Sequence, residues 1–347
     1  QARLGAGSWQ LEDDASASLR QKLVSGHPTL KDIYGSPCRG VVSGFNDAFV
    51  VDRSKRDALI AADANSAELL KPFLEGKDLK KWRSEPQDLW LIYIPKGRID
   101  IDDYPAVRDH LLPYRDKLEK RATRQAWFEL QQAQAAYVPM MEAPKIIYGH
   151  FSPRALFSRE PKGYFSNDKS YFIPGGDWFL LGLLNSKLYW WQIQSLCPFV
   201  RGGFYEVRVQ YIGTLPIPAA DESTHTEIAS EAEACQHAAE TQRNLQQAFR
   251  RRIPDLAPGG SARLPGKLER WWKLDFPAFR GEVKKAFKQD IPLAERNDWE
   301  SFFNAKQAAV SALDAEIARR EKAIDQAVYR LFALTPAEIA LLEGAAD

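Results

Sequence analysis

The longest hydrophobic periodicities lie in the last third of the chain. Ile228, Cys235, Ala239, Leu245 and Phe249 recur at helical spacing, and Leu313, Ile317, Ile324, Val328 and Leu331 form a second such stripe. The two predict long antiparallel helices meeting around Trp271-Trp272 and Trp299. Thr335-Pro336-Ala337-Glu338 joins a capping box to proline at the first helical position and predicts a short closing helix. The first two thirds carry shorter patterns. Leu89–Ile94, Pro144–Tyr148 and Ser170–Ile173 are apolar runs that predict buried strands. Gly40–Val51 reads as strand, turn, strand, with Gly44 and Asn46-Asp47 as turn residues. The alternative is a loop whose amides and Asn46 face a ligand. Ala155–Arg159 and Gly163–Asn167 predict a second hairpin, and Val207, Val209 and Tyr211, alternating with Arg208 and Gln210, predict a further strand. Between them Leu180, Leu183, Leu184, Leu188 and Trp191 share one face of a helix interrupted by the polar triplet Asn185-Ser186-Lys187. Weaker helical signals cover Trp9 to Ile33, a stretch capped by Asn65, and Pro105 to Arg121. The whole is an α+β chain: residues 1–219 form a domain of mixed, short strands, and residues 220–347 a helical subdomain.

Charge changes this picture more than composition does. The formal net charge is only +1, yet residues 110–213 carry 13 basic and 8 acidic side chains, and the segments on either side are slightly acidic. A local basic surface fits a polyanionic partner better than a uniform coat would. Arg115, Lys117, Lys120, Arg121 and Arg124 run directly into Trp127-Phe128, although such a run also suits an ordinary solvated helix face. Cys38, Cys197 and Cys235 are isolated thiols without a CxxC pair, which fits a reducing cytoplasm and no zinc site. No apolar run approaches the ~18–20 residues that cross a bilayer. The first residue is Gln1 rather than Met, as expected of a piece of a longer or processed polypeptide.

Catalytic signatures are not found. The chain has no Walker-type or G-x-G-x-x-G phosphate loop, no H-E-x-x-H, no G-x-S-x-G, and no Asn-Pro-Pro-aromatic tetrapeptide. Five scattered histidines offer no ligand spacing, and Asp100, Asp102 and Asp103 read as a polar loop. The expectation is a binding module with no catalytic residue, metal or cofactor of its own.

Several segments, taken in order, carry a family resemblance. They are Gly44-Phe45-Asn46-Asp47-Ala48-Phe49-Val50, Leu70-Lys71-Pro72-Phe73-Leu74-Glu75-Gly76-Lys77-Asp78-Leu79, and Tyr104-Pro105 with Leu118-Glu119-Lys120-Arg121. Trp127-Phe128-Glu129-Leu130, Pro144-Lys145-Ile146-Ile147, Leu181–Leu188, Gly202-Gly203-Phe204-Tyr205 with Leu215-Pro216-Ile217-Pro218, and Ile324–Thr335 follow. Together they resemble the target-recognition region that lies C-terminal to the methyltransferase core in TaqI-like and type IIG restriction-modification enzymes, shared by the phage-defence (BREX-type) N6-adenine methyltransferases.

The resemblance implies recognition of double-stranded DNA for a methyltransferase core, which would hold S-adenosylmethionine and take the flipped adenine. The parent is then expected to be an adenine methyltransferase, with or without endonuclease activity. The side chains expected at phosphates are Lys120, Arg121, Arg124, Lys145, Lys162, Lys169 and Lys187. Those expected at base edges are Arg159, Asn167, Arg201, Tyr205 and Arg208, because Arg and Asn can bond guanine and adenine bidentately. The competing reading is a protein-interaction or scaffolding module of a defence complex, working through residues 221–347 without touching DNA.

Overall fold

The computed structural model describes residues 14–259 and 263–344. Trp9 and Leu11 of the first helical pattern, and residues 260–262 of the loop Pro258–Pro265, lie outside them. The chain is α+β, with short strands in mixed sheets followed by a helical region. It forms two compact units: residues up to Ala229 with Ile324 onward, and Ser230–Ala323. The sequence division at 219/220 follows the onset of the long helix Glu222–Arg250. The compact grouping assigns the C-terminal residues to the first unit, because they pack there: Asp325 Oδ1 accepts the Lys187 backbone N–H at 2.8 Å, and Lys22 pairs with Glu338 at 2.8 Å.

Two four-stranded sheets build the first unit. In one, Cys38–Arg39, Ser170–Pro174, Lys145–Gly149 and Phe157–Glu160 lie side by side, all antiparallel. In the other the order is Phe165–Ser166, Leu70–Leu74, Leu89–Ile92, Val50–Asp52, with the first pair parallel. Pro72 is tolerated inside that sheet because Phe165–Ser166 reaches only Phe73 and Leu74, leaving the proline's other edge unclaimed. Phe49, Phe73, Leu91, Ile92, Ile147 and Phe165 are among the side chains of a core shared between these strands.

Two expected hairpins and one expected strand do not form. Asn46–Phe49 is a helical turn, not a hairpin loop, and Val41 and Val42 bridge Asn167 and Gln132 instead. Phe157–Glu160 pairs with Lys145–Gly149, and Phe165–Ser166 with Leu70–Leu74, so the second hairpin opens into two sheets. Val209–Ile212 is a helical turn capping the strand Phe204–Glu206. The helix expected from Pro105 breaks into Pro105–Leu111, a 3-10 turn at Pro113, and Arg115–Leu118.

The Leu180–Trp191 stretch is two helices. Trp178–Asn185 starts on the Asp177 cap and stops at Ser186, and Lys187–Leu196 starts on Ser186, whose Oγ accepts from the Tyr189 N–H. Asn185 is buried, and its amide accepts from Phe157 N–H at 3.2 Å and donates to Phe157 O at 3.0 Å. It thus substitutes for a neighbouring strand at the edge of the antiparallel sheet.

In the second unit, Gln242 meets Asp314 at 2.6 Å and Arg320 meets Glu231 at 2.9 Å, so Glu222–Arg250 and Arg296–Leu331 run antiparallel there. Its core centres on Phe249, stacked on Trp271 at 4.0 Å, with Phe279 and Phe303 around them.

Candidate nucleic-acid interface

A small three-stranded sheet in the first unit gathers the most exposed chemistry. Its strands are Phe199–Val200, Phe204–Glu206 and Phe151–Ser152, in that order. The turn between the first two holds Arg201, exposed, and Gly202-Gly203, whose φ values of +86° and +82° only glycine adopts without strain. Strand alternation sorts the side chains. Phe204 and Glu206, with Phe151 opposite Glu206, point one way, and Phe199, Tyr205 and Ser152 point the other.

On the first face the side chains form a connected set. His150 stacks on Phe151 with ring centroids 4.2 Å apart, and His150 Nε2 lies 3.0 Å from Glu206 Oε1. Arg208 donates to the same carboxylate oxygen at 2.6 Å. The guanidinium holds the Glu206 carboxyl below the usual carboxylate range. Burial draws the His150 pKa down despite that carboxylate, so the ring is neutral at physiological pH. The His150 backbone N–H donates to Lys169 O, and the Lys169 backbone N–H donates to Asn167 Oδ1. Beside them lies a hollow of about 330 Å³ lined by Glu75, Gly76, Lys77, Phe151, Asn167 and Lys169. Gly76 is needed there, because a Cβ would sit 2.7 Å from Lys169 O.

The face is not a bare cationic surface. Lys77 pairs with Glu75, Lys169 with Asp168, and Arg208 with Glu206. The two lysine pairs are exposed and contribute little, so a phosphate can take over either lysine at small cost, whereas Glu206 is half-hidden behind Arg208 and His150.

The sequence-predicted residues separate into neighbourhoods. Lys169, Arg201 and Arg208 come together around this sheet, whereas Asn167, expected at a base edge, is buried beside the hollow with its Oδ1 taken by the Lys169 backbone N–H. Tyr205 belongs to the same strand but packs on the opposite face, edge-on to Trp190 at 5.5 Å and Phe199 at 5.1 Å. Arg159 lies elsewhere, its guanidinium 4.9 Å above the Trp178 ring. Lys120 and Arg124 are exposed on the segment after Leu118, and Lys162 is exposed in the turn after Glu160. Lys187 is exposed and pairs with Glu343 at 3.1 Å.

Two expected phosphate contacts are corrected. Lys145 is 1% exposed, its ammonium 2.6 Å from Glu160 Oε2 and hydrogen-bonded to Met141 O, and burial lowers its pKa. It is an internal counter-ion, out of reach of any phosphate. Arg121 turns inward: it donates to Ser43 O at 2.7 Å, Leu118 O at 2.9 Å and Trp127 O at 2.8 Å, and lies over the Phe49 ring. Its guanidinium ties together three backbone segments.

The sequence reading missed Phe151, Phe204, His150 and Lys77. Phe204 follows the conspicuous Gly202-Gly203 pair, but nothing in a sequence marks which phenylalanines stay at the surface. Among the described residues no three His, Cys, Asp or Glu side chains group as a metal site requires, and no helix is long and apolar enough to cross a membrane.

Known proteins match the same stretch of chain. Residues 71–217, which include the sheet and the hollow, match the TaqI-like C-terminal specificity domain family. The chain resembles the TaqI-like specificity region. Residues 221–328 match a domain family of unknown function, DUF8810. The type II methyltransferase M.PaeR7I of Pseudomonas aeruginosa is 23% identical over 227 residues, 62% of this chain and 38% of that protein. The chain thus spans well under half of that relative's length. The solved structure of the type IIL restriction-modification enzyme MmeI in complex with DNA aligns with a TM-score of 0.45 and 14% identity, over 80% of this chain and 36% of that one.

Proposed function

We propose that this chain recognises a specific sequence in duplex DNA on behalf of a methyltransferase, and that residues 71–217 do the reading. The observation that carries this is the coincidence of the TaqI-like specificity match with a small sheet that presents Arg201 and Arg208, beside a hollow lined by Lys169 and Lys77. Arg208 and Arg201 can address guanine edges, and Lys169 and Lys77 can hold phosphates that fix the register. Lys120, Arg124 and Lys162 are further exposed cations for phosphate contact. On this reading the chemistry belongs to an N6-adenine methyltransferase core with bound S-adenosylmethionine, in a cytoplasmic restriction-modification or phage-defence system of the type IIG kind.

The test is duplex binding by the polypeptide that carries this chain, as a function of salt and of Arg208→Ala. Affinity should fall steeply with salt, and the variant should lose about tenfold on the preferred sequence while binding random duplex nearly unchanged. A flat salt dependence, or an Arg208→Ala protein with unaltered sequence preference, would remove the assignment.

A further inference from the structure

The two phenylalanines on the Arg208 face are the least explained feature of the first unit. Phe204 is 39% and Phe151 44% exposed, on adjacent strands of one sheet and on the same side of it. Large aromatic rings left open to water in this way mark contact surfaces. Neither is loosely held. Phe151 is backed by the neutral His150 ring, which Glu206 fixes, and Phe204 follows a glycine pair that sets the path of its strand. The surroundings indicate what covers them. Arg201 at the strand turn, Arg208 beyond Glu206, and Lys169 and Lys77 at the neighbouring hollow put four cations around the two rings, against the three carboxylates Glu206, Asp168 and Glu75 that pair with them. A hydrophobic protein partner would gain little from that rim, whereas a nucleic acid offers flat apolar bases inside a ring of phosphates.

We propose that Phe151 and Phe204 contact the base stack itself, entering a groove and resting against bases that are partly unstacked. The sheet would then bend or open the duplex, in addition to the edge reading assigned to Arg208. This rests on the DNA-recognition reading above and deepens it. Apolar side chains that enter a base step must break stacking, so the cost falls wherever stacking is already weak. Stacking of a base on an aromatic ring returns part of that cost whatever the base is. The contact therefore supplies sensitivity to DNA deformability and carries no base code of its own.

The consequence can be measured without knowing the recognition sequence. The polypeptide carrying this chain is titrated, at one salt concentration, against a matched duplex and the same duplex containing one abasic site. The native protein should bind the abasic duplex about tenfold more tightly. Phe151→Ala/Phe204→Ala should bring the two affinities to within about twofold, and Phe204→Leu, which keeps an apolar wedge, should retain most of the preference. Both rings are exposed, so the fold is expected to survive, and an unchanged thermal midpoint checks this. Equal affinities in the native protein, or a preference that persists in the double alanine variant, overturn the stacking role while leaving DNA recognition in place. Absence of binding to either duplex overturns the DNA reading as well.

Discussion

Asn185 is a polar residue in the most apolar helix of the chain, and its burial is explained by one partner. Both its amide groups serve the Phe157 backbone at the edge of a sheet. Asn185→Leu should leave the buried Phe157 N–H unsatisfied, since Phe157 O keeps the Trp82 N–H, and cost about 1–3 kcal/mol in urea unfolding. Lys145 and Glu160, at 1% and 2% exposure, form a buried ion pair. Lys145→Met strands the carboxylate and should cost about 3–5 kcal/mol, whereas Lys145→Met with Glu160→Met should recover most of the loss. Two histidines set an acid limit. Burial lowers the folded-state pKa of both His110 and His150. As pH falls through the ordinary histidine value of about 6.5, the unfolded chain takes up protons first, so stability held above that pH is lost below it. Urea midpoints between pH 7 and 5 should decline in the native protein and decline less in His110→Asn/His150→Asn.

At the scale of elements, Ser186 decides the shape of the segment around Trp178–Leu196. It ends one helix and begins the next, accepting from Tyr189 N–H while its own hydroxyl donates to Leu183 O at 2.7 Å. Asp325 adds a carboxylate at the first amide of the second helix, where the helix dipole favours negative charge. Ser186→Ala should destabilise by about 1 kcal/mol, read from the thermal midpoint. The apolar stripe of this stretch was legible in the sequence; the break was not, because a capping serine and a mid-helix serine differ only in backbone angle. The missed hairpins have a similar cause. Ala155–Arg159 and Gly163–Asn167 are both strand-forming, but distant strands compete for their edges and win: Ile146–Tyr148 takes the first and Phe73-Leu74 the second. Asn46–Phe49 has strand-like residues on either side, yet Ala48 and Phe49 are buried through a helical turn.

At the scale of the whole molecule, the basic excess of residues 110–213 is real in number but is divided in space. Lys145 and Arg121 turn inward, and the remaining cations fall into several neighbourhoods. With phosphate contacts from Lys77, Lys169, Lys120, Arg124 and Lys162, the logarithm of the binding constant should fall with the logarithm of salt at a slope of about −4. A slope near zero would mean that the exposed cations do not meet DNA. The order of motifs along the chain disclosed the specificity-domain resemblance before any geometry, and the match over residues 71–217 agrees with it. Of the five expected base readers, Arg201 and Arg208 are exposed at the small sheet, Asn167 is buried beside it, Arg159 lies over Trp178, and Tyr205 packs away from Arg208, a consequence of strand alternation.

Local chemistry accounts for every element that was legible along the chain. Helical stripes at 228–249 and 313–331, the capping box at Thr335, and the buried runs at Leu89 and Ile146 depend on periodicity and capping within a few residues. Only the tertiary structure decided which strands pair, which cations are internal counter-ions, and which aromatics remain at the surface. Each of those is a competition between residues far apart in the chain for the same hydrogen-bonding edge, the same buried carboxylate, or the same apolar cover. Lys145 and Lys169 are indistinguishable in the sequence; Glu160 and the sheet around it bury one, and the other stays beside the open hollow.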